Sequence, residues 1–214
     1  MDCCDPGVYD DQFDARHASD RLREYQEKGP RGSTTRLVEG LSADGVDGLT
    51  VLDIGAGVGA VHLSLLSAGA ASAVDVDASG PYLAAARSEA ERRGMAGRVT
   101  YHKGDAVALL PGLPQADLVA LDRVVCCYPQ MEALVRVAAE LTGRRLGMVL
   151  PRDDAWIRAG MDVSNRWGAF RHDPFRIHAH RTANVVGVAT AAGLVPVESH
   201  RGRFWQTLIL ARPA

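Results

Sequence analysis

Hydrophobic positions follow two alternating patterns along the middle of the chain. Short apolar runs of strand length alternate with longer segments in which apolar residues return every three or four positions. This alternation predicts βαβ units, and therefore a parallel sheet with helices on both faces. The predicted strands are Thr50–Ile54, Ala71–Asp75, Val99–His102, Leu118–Asp122 and Arg145–Leu150. The predicted helices are Gly59–Ala68, Pro81–Arg93, a short turn at Val107–Leu110, Gln130–Leu141 and Thr182–Ala192.

The N-terminal part of the chain departs from this alternation. Residues 1–32 are polar and end in the Gly/Pro-containing stretch EKGPRGS. We expect them to form a helical lid, with a short amphipathic helix at about Asp10–Glu27. A second helix is predicted from Thr35 to Leu41, capped by Ser33 or Thr34, whose hydroxyls suit the first turn of a helix.

The C-terminal residues depart from the alternation in a different way. From Val195 the pattern predicts two strands joined by a turn at about Arg201–Arg203, which suits a sheet whose last strand is inserted antiparallel. Residues 33–214 are therefore expected to form one domain, and residues 152–181 an insertion or lid within it. The predicted fold is an α/β, Rossmann-like, doubly wound sheet of seven strands, mostly parallel with an antiparallel last strand.

Composition narrows the class of protein. The chain has 214 residues, of which 47% are hydrophobic and 23% charged, and a formal net charge of -2. These values are ordinary for a globular enzyme and give no general signature of a nucleic-acid-binding protein, so a nucleic-acid partner is not expected. No apolar run is long enough to span a bilayer, and the acidic N-terminus lacks the order of a signal peptide. We expect a cytoplasmic monomer or homodimer.

The four cysteines occur as two adjacent pairs, Cys3–Cys4 and Cys126–Cys127. In a reducing compartment the default state of such residues is the free thiol. Their spacing is not that of a zinc site, so no metal is expected. A metal or metalloid site that joins the two pairs is the alternative.

The stretch TVLDIGAGVGAVHL, which begins at Thr50, carries the most specific chemistry. Glycines at alternate positions leave the backbone bare between a buried strand and a helix, so that a ligand can lie against the main chain. The free N–H groups of the following helix favour a carboxylate or a phosphate. Gly55, Gly57 and Ala60 also satisfy the dinucleotide-binding pattern, so a dehydrogenase stays in consideration at this point.

Four carboxylates near the predicted strand ends distinguish the possible ligands. Asp77 lies about twenty residues after Gly57, where an acidic side chain accepts hydrogen bonds from ribose hydroxyls, and Asp75 is a second candidate. Asp53 precedes the first glycine and is placed to accept from an ammonium group or to brace the loop. Asp105, in KGDA, is placed to accept from an adenine amine. A dinucleotide has no ammonium group, so the position of Asp53 favours a ligand that carries one.

Four stretches in order, VLDIGAGVG, VDASGPYLAAAR, VTYHKGDA and ADLVALDRVVCCYP, resemble the class I S-adenosylmethionine-dependent methyltransferases from about Thr35 to the C-terminus. The resemblance implies S-adenosylmethionine as cofactor, with the glycine loop around its methionine part, Asp77 on the ribose and Asp105 on the adenine. The cofactor-binding residues that it implies are Asp53, Gly55, Ala56, Gly57, Asp77, Ala78, Gly104, Asp105, Ala106, Asp122 and Arg123. The stretches DRVVCCYP and VLPRD are similar to magnesium-protoporphyrin O-methyltransferases. Cys127 stands where that pattern has a histidine, so the similarity locates the edge of the site without naming the substrate.

The acceptor is expected beyond the fourth strand. Tyr128, His178 and His180 are the candidate catalytic residues, and Cys127, Arg152 and Trp156 the candidate substrate-binding residues. The aromatic and arginine-rich segment 152–181 suits a lid over a flat or anionic acceptor, or else an amphipathic helix with its aromatic side inward.

The predicted function is methyl transfer to a small-molecule acceptor, at an oxygen of a carboxylate or hydroxyl. The alternatives are methylation of RNA or protein, methylation of a thiol or metalloid through the cysteine pairs, and a non-catalytic cofactor-binding role.

Overall fold

One seven-stranded sheet organises the computed structural model, which describes residues 14–171, 173 and 175–213. The strands are β1 (Thr50–Ile54), β2 (Ser72–Asp77), β3 (Val99–Lys103), β4 (Ala116–Asp122), β5 (Thr142–Pro151), β6 (Val195–Arg201) and β7 (Trp205–Ala211). Their order is β3-β2-β1-β4-β5-β7-β6, and β7 is antiparallel to both of its neighbours, whereas the other pairings are parallel. The predicted fold is confirmed, including the inserted antiparallel strand.

Helices cover both faces of the sheet. They are α1 (Ala15–Lys28), α2 (Gly32–Leu41), α3 (Ala60–Ser67), α4 (Gly80–Arg92), α5 (Ala106–Leu109), α6 (Met131–Glu140), α7 (Ala155–Phe170) and α8 (Thr182–Ala191), with 3₁₀ turns at Ala96–Arg98, Leu110–Gly112 and Val125–Cys127. One apolar core joins the sheet to α6 and α8, and a second joins its other face to α2 and α3. Among the described helices, none has the length and apolar character needed to cross a membrane.

The N-terminal helices begin where local hydrogen bonds allow. In α1, the carboxylate of Asp14 caps the first turn by accepting from the His17 N–H at 2.8 Å. The helix ends at Gly29, whose φ of 73° is open to glycine and strained for other residues. The predicted cap of α2 is wrong, because the helix already begins at Gly32 and Thr34 lies inside it. The part of the predicted first helix before Asp14 lies outside the described residues, as do Cys3 and Cys4.

Helix α7 departs from the prediction in the direction that its aromatic side faces. One of the two predictions for residues 152–181 is an amphipathic helix with its aromatic side inward, and residues 155–170 are helical with that side turned outward, so the predicted orientation is wrong. The helix instead buries Ile157 and Met161, which lie four residues apart on one side. Trp156, Trp167 and Phe170 are exposed to solvent.

Candidate functional site

In the glycine loop after β1, neighbouring side chains occupy the space that a Cβ would need at Gly55 and at Gly59. Gly55, Gly57 and Gly59 have positive φ values of 63°, 59° and 80°. A Cβ on Gly55 would lie 2.5 Å from Cγ2 of Val124. A larger residue there would therefore be strained in its backbone and would also clash, so the loop needs glycine for two independent reasons.

Asp77, at the end of β2, holds this loop in place. One of its carboxylate oxygens accepts the Gly57 N–H at 3.0 Å, and the other accepts the Ser79 N–H at 2.8 Å. Burial raises the pKa of Asp77 to about 6, and these backbone hydrogen bonds oppose that shift. A carboxylate offers about four acceptor positions, so lone pairs remain for hydroxyl groups of a ligand.

Two further carboxylates lie behind Asp77 in the sheet. Asp53 and Asp75 are register partners on β1 and β2, and both are fully buried. Asp53 accepts from the backbone N–H of His62 at 3.2 Å and contacts Nδ1 of the same residue at 2.9 Å, so it braces the start of α3. The side chain of Asp75 has no hydrogen-bond partner among the described residues. Burial, together with the charges of Asp53 and Asp77, holds the pKa of Asp75 well above its usual range.

A cavity of about 520 Å³ opens above the loop, along the carboxyl ends of the strands. Ten residues that the resemblance implied for the cofactor line it, and they are Gly55, Ala56, Gly57, Asp77, Ala78, Gly104, Asp105, Ala106, Asp122 and Arg123. The eleventh, Asp53, does not line it, because its side chain lies beneath the loop. This volume is within the range of small-molecule sites.

The far end of the cavity is closed by a short hydrogen-bonded pair. The Tyr128 hydroxyl donates to Oδ1 of Asp105 at 2.6 Å, and the same oxygen accepts the Val107 N–H at 3.1 Å. The second oxygen of Asp105 has no role in these two bonds. The pair therefore fixes the orientation of the carboxylate at the place where an adenine amine is expected.

The turn after β4 joins the cavity to α2. Arg123 has a φ of 63°, unusual for a residue with a side chain, and its guanidinium donates twice to the carboxylate of Asp122, at 2.9 and 2.8 Å. Thr34 donates its hydroxyl to the same carboxylate at 2.6 Å. These contacts tie the strand end to the N-terminal part of the chain and leave Asp122 with its charge compensated.

Solved structures with this fold include several methyltransferases. Magnesium protoporphyrin IX methyltransferase from Synechocystis PCC 6803, with bound SAH, is 21% identical over 98% of this chain and 100% of that one, with a TM-score of 0.76. An O-methyltransferase family protein from Burkholderia thailandensis is 19% identical over 95% and 61%, with a TM-score of 0.69. The N-methyltransferase NodS from Bradyrhizobium japonicum WM9 is 17% identical over 85% and 86%, with a TM-score of 0.63. At these identities the likeness establishes the fold, and no curated protein sequence matches the chain.

A family profile decides the identification. Residues 51–143, from β1 into the start of β5, match the profile of a methyltransferase domain. These residues therefore form a methyltransferase domain, within a chain whose fold is shared by solved methyltransferases. The matched residues contain the glycine loop, Asp77, Asp105 and the turn after β4. The profile therefore covers the residues that build the cofactor side of the cavity.

The other side of the cavity is more apolar. Its described lining comprises Met161 of α7, Phe175 and Ile177 of the following segment, and Phe204 and Trp205 at the start of β7, opposite Cys127 and Tyr128. Three residues from α1 also line the cavity, and they are Arg21, Glu24 and Tyr25. The sequence pattern singled out Cys127 and Tyr128 among these. The others carry no motif, because tertiary packing alone brings them to the site.

Cys126 and Cys127 both line the cavity, in the 3₁₀ turn after β4. Their sulfur atoms are 3.7 Å apart. The hydrogen bond between the thiols raises the pKa of Cys126 and lowers that of Cys127, and burial adds to the rise at Cys126 and opposes the fall at Cys127. Cys127 is therefore the more readily ionised thiol of the pair. Among the described residues, no group of three or more histidine, cysteine or acidic side chains is arranged to hold a metal.

His178 and His180, the predicted catalytic residues, do not line the cavity. The His178 backbone N–H donates to the Cys126 carbonyl at 2.6 Å, and Nε2 of His180 contacts the Tyr128 carbonyl at 3.0 Å. Their rings stack, with centroids 5.5 Å apart. Burial lowers the pKa of both imidazoles. The two residues support the turn that carries Cys127 and Tyr128, from its outer side.

Arg152 and Trp156 also lie outside the cavity wall that the described residues form. Arg152 forms an ion pair with Asp154, at 2.6 Å, and donates to the Gly202 carbonyl at 3.1 Å. Trp156 is exposed to solvent on α7. Their assignment to the substrate therefore stays a prediction.

Proposed function

We propose that the protein transfers the methyl group of S-adenosylmethionine to a carboxylate oxygen of a small-molecule acceptor that has an apolar body. The observation that carries the proposal is the division of one cavity into two parts. One part is lined by the glycine loop, Asp77 and Asp105, and the other by Met161, Phe175 and Ile177. The proposed cofactor contacts are those of the ten residues named above, with Asp77 accepting from the ribose and Asp105 from the adenine amine.

The size of the cavity supports a small acceptor rather than a polymer. Walls from α1 on one side and from α7 and β7 on the other limit the space to about 520 Å³, which the cofactor must share with the acceptor. A bound cofactor and acceptor that fill this space would displace water from the sulfonium carbon, which favours the displacement. An RNA or protein substrate would have to present a single extended group to this space.

The lack of a histidine among the described residues that line the cavity supports a carboxylate acceptor. The lining carboxylates are already engaged. Asp122 pairs with Arg123, Glu24 with Arg21 and Arg31, Asp105 accepts from Tyr128, and Asp77 accepts from the glycine loop. A carboxylate is already ionised at neutral pH and needs no proton removed, whereas a hydroxyl acceptor needs a general base. The likeness to a magnesium protoporphyrin IX methyltransferase and to an O-methyltransferase family protein is compatible with an oxygen acceptor.

The thiol pair supports a second candidate function. Two sulfur atoms 3.7 Å apart on the cavity wall can hold a thiophilic metalloid for methylation. Replacement of Cys127 by Ser distinguishes the two candidates. Turnover of a carboxylate acceptor should survive this change within a few fold, whereas a metalloid substrate would lose a ligand.

The experiment uses S-adenosylmethionine with a tritiated methyl group and a panel of apolar carboxylic acids, phenols and amines. Methyl esters release volatile methanol in mild base, whereas methyl ethers and methylamines keep their label. We expect base-labile product, with a rate that stays constant above the pKa of the acceptor carboxyl. Base-stable product from phenols or amines would overturn the carboxylate assignment.

A matched pair of phenylalanines tests the acceptor part of the cavity. Phe175 lines the cavity, whereas Phe170 is exposed on α7. Phe175→Ala should raise the KM for the acceptor by about tenfold through lost apolar contact, and Phe170→Ala should leave it unchanged. Equal effects of the two substitutions would contradict the proposed position of the acceptor.

A further inference from the structure

Helix α7 carries its largest apolar side chains on the side that faces solvent. Trp156, Val163, Trp167 and Phe170 recur at helical spacing on one side of the helix, and we call these four residues the aromatic stripe. Their exposed fractions are 60%, 67%, 63% and 77%. Large aromatic side chains offer about 150–250 Å² each, so the stripe exposes roughly 500 Å² of apolar surface, which is near the upper end for a monomer. Such a surface indicates an interaction site.

Arginines flank the aromatic stripe. Because an α-helix has 3.6 residues per turn, Arg166 and Arg171 fall on opposite sides of it. Both are exposed, and neither forms an ion pair with an acidic residue within the described part of the chain. Residues 152–181 together with 201–203 contain eight arginines and four aspartates, with no lysine or glutamate, in a chain whose net charge is -2. This region is therefore positively charged in an otherwise acidic protein.

The turn between β6 and β7 extends the same surface. Arg201 pairs with Asp154 at the start of α7, at 3.3 Å, and Gly202 accepts a hydrogen bond from Arg152. Arg203 is exposed beside them. The basic residues of this turn therefore lie next to the N-terminal end of the helix that carries the aromatic stripe.

We propose that the aromatic stripe and its flanking arginines dock the protein on an anionic lipid surface, with α7 lying in the plane of the interface. A helix with tryptophan and phenylalanine on one side, bordered by basic residues, has the composition of an interfacial helix. The rings insert at the level of the headgroups, while the guanidinium groups contact lipid phosphates. A second copy of the chain fits less well, because pairing through this surface would bring two sets of arginines together.

Docking would place the cavity close to the lipid. Met161, on the buried side of α7, lines the acceptor part of the cavity. An acceptor with an apolar body partitions into a bilayer, so this helix links the surface where such an acceptor concentrates to the wall of the site. This link rests on the proposed function, whereas docking itself does not.

The test is co-sedimentation of the full chain with vesicles of phosphatidylcholine, with or without phosphatidylglycerol. The test compares the wild type with two double variants, which are Trp156→Gln with Trp167→Gln and Arg166→Gln with Arg171→Gln. Their matched controls are Val197→Gln on β6, which is 50% exposed, and Arg23→Gln on α1, which is exposed. Calorimetric titration with S-adenosylhomocysteine on every variant reports separately on folding and on the cofactor site, so failure of docking and failure of the proposed function are distinguishable.

We expect the wild type to bind vesicles that contain phosphatidylglycerol, and each double variant to bind them at least about tenfold more weakly, while the controls bind normally. Tryptophan emission adds a second readout, because the chain has three tryptophans and the first double variant retains only Trp205. A blue shift on binding should be seen in the wild type and lost in that variant. Absence of vesicle binding, or equal binding by the tryptophan variant, would overturn the proposal. So would stripe-dependent dimerisation or RNA binding without binding to lipid.

Discussion

The substitution Asp77→Asn tests the account of the cofactor loop, because it removes the charge and keeps the shape. The buried carboxyl of Asp77 has a pKa of about 6, against an ordinary value of 3.8. The folded state therefore holds this proton more tightly than the unfolded state does. Ionisation of Asp77 therefore destabilises the folded state. The free energy of unfolding falls as the pH rises from about 4 to about 6 and stays lower above that range.

The magnitude follows from the same shift. About two pKa units correspond to about 3 kcal/mol, which is the largest penalty that ionisation of Asp77 brings. Asparagine does not ionise and resembles the protonated acid, although its amide group serves only one of the two backbone N–H donors. The variant should therefore match the wild type at about pH 4 and exceed it by about 1–3 kcal/mol at about pH 8.

Cofactor binding should respond in the opposite direction. Ribose hydroxyls donate more strongly to a carboxylate than to an amide, so Asp77→Asn should weaken binding of S-adenosylhomocysteine by roughly 10- to 100-fold at neutral pH. In the wild type the affinity should fall as the pH drops below about 6, whereas the variant should show no such dependence.

Urea unfolding at the two pH values and calorimetric titration are the assays. Asp162→Asn, at an exposed position on α7, is the control for loss of one negative charge. A stability difference between wild type and variant that does not change with pH would refute the raised pKa. Unchanged affinity for S-adenosylhomocysteine would refute the role of Asp77 at the ribose.

Three further predictions concern neighbouring positions. Asp75→Asn should leave the free energy of unfolding unlowered at about pH 7 and should raise it at alkaline pH, as measured by urea unfolding. The reason is that the buried carboxyl lacks a partner among the described residues and its pKa is held well above the usual range. A loss of more than about 1 kcal/mol at pH 7 would contradict this. Gly55→Ala should lower stability by about 1–3 kcal/mol and abolish detectable cofactor binding in calorimetry, since its Cβ meets Val124, and a normal titration would count against the bare-loop argument. Tyr128→Phe should weaken cofactor binding by a few fold through release of Asp105, and an effect on the acceptor KM alone would assign the hydroxyl to the acceptor instead.

Structure was predicted most accurately from the sequence where a local pattern determines it. β1 was predicted at its observed bounds, and the glycine loop, Asp77 and Asp105 were located by motif, because strand, turn and helix there follow one another within a few residues. Ten of the eleven implied cofactor residues line one cavity for the same reason. Asp53 is the exception, because the alternation of apolar and polar residues along a strand does not determine whether a side chain near the strand end lies above the loop or beneath it.

The parts that failed depend on contacts between distant segments. Thr34 was predicted to cap a helix, yet its hydroxyl bonds to Asp122, 88 residues away. The orientation predicted for α7 is wrong because its inward side is narrow and its large aromatic residues face outward, which reverses the usual amphipathic pattern. His178 and His180 were assigned catalytic roles from their residue type and their alternation along an extended segment. They contact the turn after β4 and do not line the cavity, and their catalytic role stays a prediction.

Localisation, oligomeric state and the division into lid and domain stay predictions. In the structure α1 contacts α4 through a hydrogen bond from Gln26 to Glu89, at 2.8 Å, and the Arg93 guanidinium lies over the ring of Tyr25. These contacts hold α1 at the cavity wall, as a lid requires. A change in protease sensitivity of α1 on cofactor binding would test the lid directly.

The most direct test of the central claim is calorimetric titration of the wild-type protein with S-adenosylhomocysteine and, separately, with NADH. The account predicts one site for S-adenosylhomocysteine, strongly weakened in Asp77→Asn and absent in Gly55→Ala, and no heat from NADH. Binding of NADH alone would mean that the cavity above the glycine loop holds a dinucleotide, and it would contradict the assignment of the cofactor.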